Sequence, residues 1–101
     1  MATLFITELT DFGRDAQNTP ASIASIADMH EQVVNISGSS TPSAVFDAGT
    51  AIVRLHPTAA CSVKFGVAPV VETTNLRMAA GSIEYFRVPV GAGYQVAVIA
   101  N

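Results

Sequence analysis

At 101 residues the chain has room for one domain, and 50% of its residues are hydrophobic while only 13% are charged. Disorder needs the reverse balance and is excluded. Five basic against eight acidic residues leave a net charge of −3, with Arg14, Arg54, Lys64, Arg77 and Arg87 spread singly, which excludes the phosphate-neutralising patch of a nucleic-acid binder.

In chain order, Ala2 to Leu9 is rich in β-formers and reads as a short strand. Thr10 to Pro20 is polar and closed by a proline, which predicts a loop or extended arm. Ala21 to Met29 carries Ile23, Ile26 and Met29 at spacing three, which predicts one or two helical turns. From Gln32 onward the pattern is β. Strands are expected at Gln32–Ser37, Ser43–Phe46, Thr50–His56 and Ala60–Gly66. A Pro-containing loop at Val67–Thr74 follows, then strands at Leu76–Met78, Ser82–Pro89 and Tyr94–Ala100. The strand from Thr50 places Ala51, Val53 and Leu55 on one face and Ile52, Arg54 and His56 on the other. The next places Cys61, Val63 and Phe65 inward and Ser62 and Lys64 outward. In Ser82–Pro89, Ile83, Tyr85 and Arg87 oppose Glu84, Phe86 and Val88. Short strands with turn signals about every ten residues predict an all-β fold. The expected form is an antiparallel β-sandwich, jelly-roll-like, or a small barrel, with an extended N-terminal arm. One domain covers residues 1–101, with strand and arm in 1–30 and the sandwich body in 31–101.

The N-terminal run has no basic n-region and is too short for a signal peptide, and nothing approaches the ~18 apolar residues of a membrane span. A soluble protein made in a cytoplasm is expected. Cys61 is the only cysteine, so no disulfide framework is available, and its inward position reads as a buried structural thiol. His30, His56 and Cys61 fall short of a metal-ligand set, so no metal or cofactor is expected. His56 reads as a rim residue. The acidic residues Asp11, Asp15, Asp28, Glu31, Asp47, Glu72 and Glu84 read as solvated or turn-forming, with Asp47 suited to the Asp47-Ala48-Gly49 turn. Gly91 and Gly93 read as a hairpin turn and not a phosphate loop. Without a nucleophile–base pair or metal set the chain reads as no enzyme, with no catalytic residues.

Several segments share a cadence: Met1 to Glu8, Val53-Arg54-Leu55, Ala59 to Pro69, Met78-Ala79-Ala80-Gly81, Ile83-Glu84-Tyr85-Phe86, and the closing Val96-Ala97-Val98-Ile99-Ala100. This strand and turn rhythm resembles a group of small virion structural proteins of tailed bacteriophages, of the capsid decoration or cement type. The likeness covers the first ten residues and the last fifty; Asp11 to Thr50 carries none of it. The resemblance implies a β protein at the capsid surface of the virion, made in the host cytoplasm. Its partners would be the major capsid protein and copies of itself as a dimer or trimer, with neither nucleic acid nor membrane. A neck, tail or fibre-attachment component is the structural alternative. A small glycan-binding module using Tyr85, Tyr94 and Arg87 is the alternative of another class.

Candidate subunit or capsid contacts are Leu4, Phe5, Ile6, Tyr85, Arg87 and Tyr94. Residues 2–9, detached by a polar loop, suit addition to the edge of a neighbouring sheet. Together with Ile52 and Val70-Val71 they are apolar without an evident place in one small core. The expected cover is other protein chains.

Overall fold

The computed structural model describes residues 2–9, 12–14, 20–24 and 30–101 of the chain. Among these are ten strands and no helix: β1 (Thr3–Leu9), β2 (Phe12–Arg14), β3 (Pro20–Ala24), β4 (His30–Asn35), β5 (Thr41–Pro42), β6 (Ile52–Pro57), β7 (Cys61–Gly66), β8 (Leu76–Met78), β9 (Glu84–Arg87) and β10 (Gln95–Ala100). Two antiparallel four-stranded sheets run in the orders β4-β1-β6-β9 and β5-β10-β7-β8, and β2 and β3 pair with each other. The core lies between the two large sheets. Period-two alternation points Leu4 and Ile6 of β1, Val53 and Leu55 of β6, Cys61 and Val63 of β7, and Val96 and Val98 of β10 into it. The total accessible surface of 5537 Å² is close to the ~5,400 Å² of a compact monomer of this mass. The expected all-β sandwich is the fold.

The register shows how the sandwich is wound. In the pairs β7–β8, β6–β9 and β5–β10 the numbers of facing residues always add to 139, from Val63 with Leu76 out to Thr41 with Val98. One long hairpin, turning at Pro69-Val70, has been rolled so that successive pairs fall alternately on the two sheets, which is a jelly roll. The fourth pair continues the roll through a break in the chain. Facing residues of β1 and β4 add to 38, as for Thr3 with Asn35, and this pair lies on the sheet opposite to β5 and β10. The strand that would follow β10 in an unbroken roll is thus supplied by the N-terminal segment. Ala2 and Ala100 are both tied to the segment that leaves β4. Ile36 N donates to Ala2 O at 3.0 Å and Ala100 N donates to Ser37 O at 2.7 Å, so consecutive residues of one segment hold both.

Several expectations are corrected. β1 is an inner strand between β4 and β6, not a detached segment waiting for a neighbour's edge, so any arm begins after Leu9. The helix expected from Ala21 is not formed where described: Pro20–Ala24 is β3, paired to β2 in the stretch expected to be a loop, and residues 25–29 lie outside the described residues. Cross-strand hydrogen bonding here overrides a weak three-residue spacing. Ser43–Phe46 is not a strand, because the β5 ladder stops at Pro42; Ser43 N and Phe46 N still donate to Val96 O and Tyr94 O at 2.8 and 2.9 Å. Gly91 and Gly93 both adopt positive φ, 69° and 73°, as a tight turn favours. That turn carries the chain from one sheet to the other, from β9 to β10, and closes no hairpin.

Cys61 is a free thiol at 0% exposure, and burial pushes its pKa above the ordinary 9.0. The native protein should therefore resist a soluble disulfide reagent at pH 8 and react fully only when unfolded. The raised pKa disfavours the folded state only once the unfolded thiol ionises. Stability from this group is complete below pH 9.0 and falls as pH rises past it. A urea midpoint that drops above pH 9 in the native sequence but not in Cys61→Ala checks this.

Candidate functional site: an uncovered sheet face

The outer surfaces of the two sheets are finished differently. Over the β5-β10-β7-β8 sheet the chain lays its own 67–75 segment. Val71 N donates to Ser40 Oγ at 3.0 Å, next to the β5 edge, and Val71 itself is buried. The Ser62 hydroxyl lies 3.0 Å from Thr73 O and 2.7 Å from Asn101 Oδ1. Ser62 and Ala97, expected or placed on the outside by alternation, both end at 0% exposure. The Val70-Val71 pair is thereby half explained, since Val71 is covered and Val70 is exposed.

The β4-β1-β6-β9 sheet presents its outer side chains in rows set by the register. One row runs Val33, Phe5, His56, and the next runs Glu31, Thr7, Arg54, Tyr85. Phe5 and Val33 are 43% and 63% exposed, and Tyr85 is 50% exposed. Phe5 and His56 rings lie 6.2 Å apart and tilted by 37°, a contact of the aromatic-pair type. Ile83, which continues the first row one residue before β9, is 50% exposed. The third row behaves otherwise: Leu9 and Ile52 are buried and form with Ala51 a second, small cluster. Ile52, expected to lie on a polar face without cover, has cover.

The candidate contact residues separate on this framework. Leu4 and Ile6, at 0% and 1% exposure, are core and offer nothing to a partner. Tyr94 packs half-buried against that core, with its backbone oxygen accepting from Phe46 N, so it does not join Tyr85 and Arg87 in one site. Phe5, Tyr85 and Arg87 do share one face. A depression of about 150 Å³ beside Ile52, Tyr85, Phe86 and Arg87 is below the ~300 Å³ at which small-molecule pockets begin. His56 is half-buried on this face, and Cys61 lies in the core.

No family model, curated protein or solved structure matches the chain. Among the described residues no group of three or more His, Cys, Asp or Glu could hold a metal ion, and no helix is long and apolar enough to cross a membrane.

One buried polar site has no counterpart among the residues expected from the sequence. Glu8 is 3% exposed. Its Oε1 accepts from Asp47 N at 2.7 Å and Thr50 Oγ1 at 2.8 Å, and its Oε2 accepts from Gln32 Nε2 at 2.8 Å. Gln32 in turn accepts from Ala44 N through its Oε1 at 2.9 Å. These two side chains fasten the segment that crosses from β5 to β6 and hold the Asp47 turn, where Thr50 N donates to Asp47 O at 3.0 Å. The available signal was the alternation Leu4, Ile6, Glu8, which puts the carboxylate on the core face. No buried side-chain nitrogen or oxygen among the described residues lacks a partner. The arrangement is a rigid body with an exposed, weakly charged face.

Proposed function

We propose that this chain is a capsid decoration protein of a tailed bacteriophage, which binds the outside of the head and cements it by contact alone. The observation that carries this reading is the uncovered outer face of the β4-β1-β6-β9 sheet, with Phe5, Val33 and Tyr85 exposed on a chain only 13% charged. Exposed apolar area of this kind marks interaction surfaces. The strand and turn cadence of its sequence, which resembles small phage virion proteins, supplies the context. The partners would be the major capsid protein and copies of the chain itself, and the place of action the virion surface. Each contact can be weak. Repetition at symmetry-related positions raises the effective concentration of every further contact and ties capsomers together.

Two measurements test this reading. Gel densitometry of purified virions should show hundreds of copies per particle. About a dozen or fewer would instead indicate a ring-shaped neck or tail position. Particles assembled without the chain should package DNA yet release it at lower temperature than complete particles. Unchanged heat resistance would remove the cementing role.

A further inference from the structure

We propose that the outer face of the β4-β1-β6-β9 sheet is a two-fold interface with a second copy of this chain. The row across that face is Val33, Phe5, half-buried His56 and Ile83, an aliphatic side chain, two rings and another aliphatic side chain. It reads the same from either end. A two-fold axis parallel to the strands, lying between two such faces, reverses the order of strands in the second copy. Val33 then meets the second copy's Ile83, and Phe5 meets the second copy's His56, twice over.

The neighbouring row carries its charges in a matching order. Glu31 stands at one side on β4, and Arg54 on β6 toward the other, with Thr7 between them in register. The same axis sets the Glu31 of one copy against the Tyr85 of the other, one strand over from the other's Arg54, and sets no like charges against each other along this row. The opposite sheet is already covered by the chain's own 67–75 segment, which leaves this face as the one for a partner sheet. Four strands about 4.8 Å apart and about six residues long give a face roughly 20 Å square. That is smaller than the ~800 Å² per partner of a standard interface, so dissociation is expected at about 1–100 µM. A dimer in solution requires no virion, so its failure and that of the capsid reading are measured separately; a dimer through this face leaves the capsid to be met by other surfaces of the chain.

Sedimentation equilibrium between about 5 and 500 µM should resolve a species of twice the 10.5 kDa monomer. Phe5→Glu should raise the dissociation constant at least about tenfold while leaving the circular dichroism and urea midpoint close to those of the native sequence. Val33→Lys serves the same purpose should Phe5→Glu disturb folding. Glu31→Arg and Arg54→Glu should each weaken the dimer, and the double variant should restore it. The proposal is overturned by a monomer throughout that range or by a closed trimer. A dimer indifferent to Phe5→Glu and Val33→Lys overturns it equally.

Discussion

Glu8→Ala is expected to destabilise the fold by about 3–5 kcal/mol, a large part of the 5–15 kcal/mol that holds a domain together. The carboxylate receives three donors at once, Asp47 N, Thr50 Oγ1 and Gln32 Nε2, and an alanine leaves all three without it. The Asp47 amide is the critical one. The segment 43–50 crosses from one sheet to the other outside any ladder, and its inward-pointing amide must find an acceptor other than a strand carbonyl. Glu8 supplies that acceptor from the end of a rigid inner strand.

The conservative variants separate the contributions. Glu8→Gln keeps shape and one oxygen but turns an NH2 group toward a donor, so it should cost about 1–3 kcal/mol. Thr50→Val removes one donor and leaves the carboxylate with two, which should cost about 1 kcal/mol. Urea denaturation of the three variants gives the ordering Glu8→Ala, Glu8→Gln, Thr50→Val. Glu8→Ala within about 1 kcal/mol of the native sequence would show that the crossing segment is held by packing instead, chiefly by buried Phe46. The exposed His30–Asp47 pair, 3.7 Å apart and about half exposed on both sides, contributes little to this anchoring.

The sequence made the sandwich legible because its central strands alternate. Val53 with Leu55, Cys61 with Val63 and Phe86 with Val88 point to the core where period two places them. Alternation says which face is inside but not which strands are neighbours. It therefore could not show that β1 sits between β4 and β6, and an apolar strand followed by a polar loop was read as an arm. The same ignorance of neighbours put Leu4 and Ile6 among the contact residues, although their shared face with Glu8 was already a core face. Ser62 and Ile52 lie outward by alternation yet are buried, Ser62 under the 67–75 segment and Ile52 in a small cluster with Leu9 and Ala51, tertiary events with no local signature. Phe5 enters the expected contacts through the apolar 2–9 strand, and Tyr85 and Arg87 through the aromatic-rich strand that carries them. Register puts them on one face, while Tyr94 turns inward because the Gly91–Gly93 turn delivers β10 to the other sheet.

Joining Asn101 to Met1 in a backbone-cyclised chain should raise stability by about 2–4 kcal/mol, the typical range for a cross-link and below the ~4.7 kcal/mol that chain entropy alone gives for a loop of about 100 residues. The gain comes from the unfolded state, which loses the freedom of its ends, and it survives only if the native ends need not move to meet. Ala2 and Ala100 are already held by the adjacent Ile36 and Ser37. The urea midpoint of the cyclic protein should therefore rise with an m-value no larger than that of the linear one. A cyclic form no more stable than the linear chain would mean that the join strains the crossing from β10 to β1. Success would define the molecule as an unbroken jelly roll whose last strand is made first. It would also explain why an N-terminal segment so rich in apolar residues needs no partner to cover its inner face.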